Sequence, residues 1–388
     1  MSGVLPSEEL PSFFKALAEM GAKPRKSLRV RRDLAPEVRT RWTAEKFATV
    51  GIPIEERVSW YDSGYFFDLA KMEPHPSRHP AIASGLVFIQ EAGAMEVVPA
   101  LGVEPEHLVL DLCAAPGAKA THLGEYLGSA GWLVANEPDR FRAKLLDVIL
   151  ARHGISNSTV YNLEPRQLVE EHEGVFDRVL VDAPCSGESL FAKRTEKRSD
   201  VSDKEVGRCA LRQSAILGNA WRMLAPGGKL VYSTCAYSRG ENEEVVAELL
   251  ASHLDARLLR EQRRFPHRDG VPGGYFAVLE KAAIELVDRA VRRARLEEAV
   301  RMRGSKGLVR DRGFRWNGEV DAYARVMDRR ETSFGGEEIE LDLPSAERFL
   351  SGEGIPSHGS DSFVFLWEGE RLAGGKGAEI YYPRGKLR

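Results

Sequence analysis

Asp111-Leu-Cys-Ala-Ala-Pro-Gly-Ala-Lys119 comes directly after the apolar run Leu108-Val-Leu110. The run reads as a buried strand over 108–113, and the stretch beyond the turn reads as a helix over 119–126. Between them, the small residues Ala114, Ala115 and Gly117 let the backbone pass close to a ligand. The helix opening at Lys119 offers backbone N–H groups at the same place, the strand edge where open α/β sheets bind ligands. The turn has neither the G-x-x-x-x-G-K-[ST] phosphate cradle nor the G-x-G-x-x-G spacing, which weakens nucleoside-triphosphate and dinucleotide readings. Taken alone it also fits a plain tight strand-to-helix turn.

Downstream the alternation continues. Strands are predicted over 132–137, 159–162, 176–182 and 229–234, and helices over 140–152, 211–224 and 241–253, with a late strand over 275–279. Strands alternating with helices predict an α/β fold with a mostly parallel sheet. The second strand ends on Asn136-Glu137, about 20 residues beyond the turn, where a carboxylate suits the two hydroxyls of a ribose. Glu164, after the third strand, either hydrogen-bonds an adenine or faces water. Asp182-Ala-Pro-Cys185-Ser-Gly-Glu-Ser and Tyr232-Ser-Thr-Cys235-Ala-Tyr end the next two strands. A single cysteine there reads as an inert core thiol. Two of them at neighbouring loops of one sheet edge, one in a rigid Pro-Cys-Ser-Gly turn, point to thiol chemistry.

The 388 residues predict two to three domains at roughly 100–200 residues each. Residues 43% apolar and 29% charged are ordinary globular usage, and they exclude collagen-like and low-complexity classes. A net charge of −3 does not by itself advertise a polyanion partner, so a nucleic-acid surface must come from local clustering. Lys23–Arg41, Lys193–Arg212 and Arg289–Arg315 are such clusters. Four cysteines, with no CxxC pair, make neither a disulfide framework nor a zinc site. The N-terminus lacks a signal-peptide pattern, and 81–101 carries Gln90, Glu91 and Glu96, so no membrane span is expected. A reducing, cytoplasmic setting with free thiols is expected.

Together, DLCAAPGAK, DAPCSGES and STCAYS resemble the RNA cytosine-5 methyltransferases of the Nop/Sun family, and Gly187–Lys193 resembles the RsmF-like bacterial rRNA subgroup. Ser27-Leu-Arg-Val30, Phe88-Ile-Gln-Glu91, Arg264-Phe-Pro-His267 and Gly273-Gly-Tyr-Phe276 extend the resemblance, and Tyr382–Arg388 is similar to the end of a PUA-like tail. Arg31, Ala118 and Glu164 stand where the family usually has Asn, Gly and Asp.

The resemblance implies a Rossmann-like S-adenosylmethionine-dependent methyltransferase sheet. It further implies an N-terminal α/β RNA-binding domain (1–100), a catalytic domain (101–285), and a basic linker with a PUA-like β-rich domain (286–388). S-adenosylmethionine is the implied cofactor, held by Cys113, Ala114, Ala115, Pro116, Gly117, Ala118, Lys119, Glu137, Glu164 and Asp182. Cys235 is the implied nucleophile, with Cys185 assisting release. Asp182 faces the N3/N4 edge of the base, and Lys119 bears on the site. A nucleophilic thiol must ionise, so a lowered pKa is expected at Cys235. No metal is required. The expected substrate is RNA: 16S rRNA first, either free or within a ribosomal subunit, and tRNA second. A reading from another class is a ribosome-assembly RNA-binding protein without catalysis.

Overall fold

The computed structural model describes residues 3–22, 25–33, 42–76, 79–189, 202–283 and 287–303, together with the backbone of four strands between 337 and 381. Helix α1 (Leu10–Ala22) comes first. Strands β1 (Lys26–Val30), β2 (Ile54–Arg57), β3 (Gly64–Phe67) and β4 (Val87–Ile89) then form an antiparallel sheet of order β2-β3-β1-β4.

The second sheet has seven strands. In chain order they are β5 (Leu108–Asp111), β6 (Trp132–Asn136), β7 (Ser158–Tyr161), β8 (Phe176–Asp182), β9 (Leu224–Thr234), β10 (Ala256–Arg264) and β11 (Gly274–Lys281). The spatial order is β10-β11-β9-β8-β5-β6-β7, parallel from β9 to β7 and antiparallel at β10 and β11. Between the strands lie α2 (Ala118–Gly124), α3 (Arg140–Arg152), α4 (Pro165–His172), α5 (Asp203–Met223) and α6 (Glu243–Ser252), followed by α7 (Arg289–Arg303).

The strands are continuous apolar runs because both faces of the sheet are covered. Successive side chains alternate between two cores. Leu108, Leu110, Val179, Val181, Leu230 and Tyr232 join one core; Val109, Leu180 and Val231 join the other. The alternating architecture therefore stands as read from the sequence.

Local differences have local causes. The helix expected over 211–224 starts at Asp203, because Ser202 caps it by accepting from the Glu205 N–H and acidic residues fill its first turn. Strand β10 is not legible in the sequence: its exposed residues are mostly charged (Arg257, Arg260 and Glu261, with Leu259 the exception), as befits an edge.

The basic clusters need correction. In the first, Arg29 and Arg31 are buried, while Arg25 and Arg32 are exposed. Arg29 donates to Gln90 Oε1 (2.7 Å) and Thr121 Oγ1 (2.8 Å) and pairs with Glu125. Arg31 chelates Asp33. A charge that finds a buried partner is no longer available to a polyanion. In the third cluster Arg292 is likewise buried, donating to Asp177 Oδ1 (2.7 Å), and α7 packs against α4. In the second, Lys204, Arg208 and Arg212 are exposed on α5. Lys23, Arg39, Arg41, 193–201, 304–315 and the 382–388 tail lie outside the described residues.

The backbone of β12 (Glu337–Glu340), β13 (Ser362–Trp367), β14 (Glu370–Lys376) and β15 (Glu379–Tyr381) forms a third sheet in that order.

Candidate active site

Parallel strands β5, β6, β8 and β9 end side by side, so the loops after them meet at one sheet edge. The loop after β5 carries Cys113, Ala114, Ala115, Pro116, Gly117, Ala118 and Lys119. Gly117 sits at φ 122°, and a Cβ there would come within 2.9 Å of Ile149 Cγ2 on α3. Glycine is therefore required both by conformation and by the close approach of loop to helix.

Glu137 ends the next strand, 4% exposed. Its Oε1 accepts from the Asp139 N–H (2.9 Å), and Arg142 Nη1 lies 3.2 Å from its Oε2. Arg142 Nη2 also donates to the Ala115 carbonyl (2.8 Å), tying the two edges of the cradle together. Asp111 is fully buried beneath this cradle, with the Cys113 amide directed at it but no well-formed hydrogen bond to either oxygen. Burial, helped by the negative charge of Asp182, pushes its carboxyl up to about 8. An orphaned acid beneath a small-residue loop, with a ribose-suited carboxylate beside it, fits a ligand carrying a cationic amine and a ribose. Glu164 is an exposed N-cap of α4, its side chain engaged in a capping box with Gln167. Among the described residues, no hydrogen bond joins it to the rest of the site.

Lys119 and Asp182 meet at 2.7 Å, and Ser233 Oγ donates to the other Asp182 oxygen (2.8 Å). Burial works against the Lys119 charge, but Asp182 and Asp111 outweigh it and raise its pKa, so the ammonium persists. Beside this pair, Cys185 Sγ and Cys235 Sγ lie 2.9 Å apart as free thiols. The hydrogen bond from Cys185 lowers the Cys235 pKa against the pull of burial and of Asp182, and Lys119 assists. The same contact, with burial, raises Cys185. Cys113 is raised by burial and by Asp111, which suits backbone contact rather than reactivity.

Lys119, Asp182 and Cys235 line a cavity of about 130 Å³, whose lining also includes Glu91, Gln262 and Arg264. Sequence reasoning missed those three as site residues, along with Asp111, Arg142, Gln213 and Glu241. Gln213, a fully buried polar residue in the helix packed over the site, and Glu241-Asn242, just beyond Cys235, were the legible signals. Among the described residues no cluster of His, Cys, Asp and Glu is arranged to hold a metal, and no helix is long and apolar enough to cross a membrane.

Residues 98–275 match the family model described as 16S rRNA methyltransferase RsmB/F. Ribosomal RNA small subunit methyltransferase F of Serratia proteamaculans is 36% identical over 203 residues, 52% of this chain and 42% of that protein. The namesake from Erwinia tasmaniensis is 37% identical over 203 residues, 51% and 42% respectively. The chain thus spans less than half the length of the curated relatives it matches. A methyltransferase homologue from Pyrococcus horikoshii superposes with a TM-score of 0.61 at 25% identity, covering 72% of this chain and 92% of the other. The structure titled NSun6 from the same organism with SFG gives 0.62 at 19% identity, over 73% and 96%, and supports the fold alone. The stretch that carries the sheet and its three motif loops, residues 98–275, is thus similar to the 16S rRNA methyltransferase RsmB/F family.

Proposed function

We propose that the protein methylates carbon 5 of cytosine in RNA, foremost 16S rRNA, through a covalent bond between Cys235 and the base. The observation that carries this reading is the pair of thiols 2.9 Å apart, next to the Lys119–Asp182 pair. S-adenosylmethionine would lie against residues 113–119 with its ribose on Glu137, and it supplies the electrophilic methyl group. The relatives named for small-subunit rRNA favour rRNA as the substrate.

Carbon 5 of cytosine is a poor nucleophile. The Cys235 thiolate adds to carbon 6, making carbon 5 electron-rich enough to take the methyl, so that one hard step becomes two easier ones. Asp182, braced by Ser233 and Lys119, faces the N3/N4 edge. A water or a neighbouring side chain takes the carbon-5 proton, the freed C–H electron pair re-forms the double bond between carbons 5 and 6, and the carbon 6–sulfur bond breaks with its pair returning to Cys235; Cys185 assists this release. A target base must be flipped out or single-stranded, at a cost of a few kcal/mol. The cavity of about 130 Å³ is close in size to one of about 150 Å³ that binds benzene, so it suits a planar ring.

Bisulfite sequencing of rRNA and tRNA from cells with and without the gene tests the reading. Loss of one or more 16S 5-methylcytosines is expected; loss confined to tRNA moves the substrate, and no loss in either removes the activity.

A further inference from the structure

Neither cysteine owes its place to regular structure alone. Residues 183–187 are irregular, and Cys235 lies just past the end of β9. Two consecutive residues, Glu241 and Asn242, reach both loops. Glu241 is fully buried. Its carboxylate accepts from the Ser186 N–H (2.9 Å), the Ser186 hydroxyl (2.5 Å) and Gln213 Nε2 (2.9 Å). Gln213 Nε2 also donates to the Pro184 carbonyl (3.0 Å). Both chain neighbours of Cys185 are therefore held. Asn242 does the same for Cys235: its Oδ1 accepts from the Thr234 hydroxyl (2.6 Å), and its Nδ2 donates to the Ala236 carbonyl (3.0 Å). The Tyr232 hydroxyl donates to the backbone carbonyl of Glu241 (2.6 Å), anchoring the dipeptide to β9 itself.

We infer that Glu241 is a positioning residue whose carboxylate, through Ser186 and Gln213, holds Cys185 in contact with Cys235. The chemistry favours a carboxylate at this point. All three polar groups aimed at it are donors, and a carboxylate is acceptor-only, with about four lone-pair sites. A buried carboxylate without a cation is costly unless hydrogen-bonded, so the loop is drawn to the one place that satisfies it. An amide in its stead would point an NH2 at a donor and push the Ser186 turn, and Cys185 with it, away. The inference rests on the thiol chemistry proposed above only for its consequence in catalysis; the contact itself is measurable without RNA or methyl donor.

The test is the pH profile of Cys235 alkylation by iodoacetamide in the full chain, read by peptide mass mapping. The groups facing Cys235 are Cys185, Asp182, Lys119 and Ser189. In the wild type the midpoint should lie below that of an ordinary cysteine. Cys185→Ala, which deletes the S–H donor, should raise it by about one pH unit. Glu241→Gln should raise it toward the Cys185→Ala value while melting remains cooperative.

The sign separates positioning from charge: removing a nearby negative charge would lower a thiol pKa, so an upward shift reports lost contact between the sulfurs. A midpoint unchanged or lowered in Glu241→Gln overturns the inference. Should that variant not fold, Gln213→Met, which cuts the bridge between Pro184 and Glu241, carries the same expectation and the same refutation. Absence of methylation in the wild type would sink the proposed function without altering this profile.

Discussion

Arg29 and Glu125 form an ion pair from which solvent is wholly excluded, joining strand β1 of the first sheet to the end of α2, the helix that opens after the 113–117 loop. Burial raises the Glu125 pKa even against the pull of Arg29. The pair is therefore held by fit rather than by a large net electrostatic gain. Arg29→Ala or Glu125→Ala would strand an unpaired buried charge and should cost about 3–5 kcal/mol. Denaturant unfolding measures this directly. Unchanged stability with a selective loss of RNA affinity would instead put Arg29 on the RNA surface.

The exposed cations Lys204, Arg208 and Arg212 recur every four residues along one face of α5. Phosphate contacts release counterions, so removing three of them should flatten the slope of log affinity against log salt by about 2–3. Filter binding of the triple Ala variant at several salt concentrations checks this. A wild-type slope would mean that the face is merely solvated.

The two thiols should fail in different ways. Cys235→Ala should abolish methyl transfer and form no adduct. Cys185→Ala should still add to the base but release it poorly, accumulating a protein–RNA band on denaturing electrophoresis. A band from Cys235→Ala alone would exchange the two roles.

Glu137→Ala should weaken S-adenosylmethionine by about 1–3 kcal/mol, the range for a hydrogen bond to a charged group together with its desolvation penalty. Arg142→Ala should weaken it less, because Arg142 braces Glu137 and Ala115 from a half-exposed position. Calorimetry reads both, and equal affinity in Glu137→Ala would remove that residue from the site.

Asp111 should make stability depend on pH. Its carboxyl is raised from 3.8 to about 8 by burial first and Asp182 second. The folded state thus holds the proton more tightly than the unfolded chain. This contribution is complete below about pH 4 and is lost as pH rises through 8. Asp111→Asn stays neutral, so its melting temperature should exceed that of the wild type at pH 9, with the gap closing toward pH 5. A gap independent of pH would show that Asp111 does not titrate there.

The chain's local patterns were enough to determine the strand–helix alternation, the small-residue loop after β5 and the arrival of Cys185 and Cys235 at one edge. Each is written in a short window: an apolar run, a small-residue turn, a Pro-Cys-Ser-Gly. Parallel strands then carry every such loop to the same side of the sheet. Tertiary structure alone decided which charges are spent inside. Arg29 looks like its exposed neighbour Arg32 in sequence, and only folding brings it against Glu125, 96 residues away. It also decided the 2.9 Å contact between sulfurs 50 residues apart and the reach of Glu241 back to Ser186, 55 residues upstream. The physical reason is the same in each case. Periodicity reports which way a side chain faces on its own element, whereas the partner that neutralises or orients it is set by how distant elements pack.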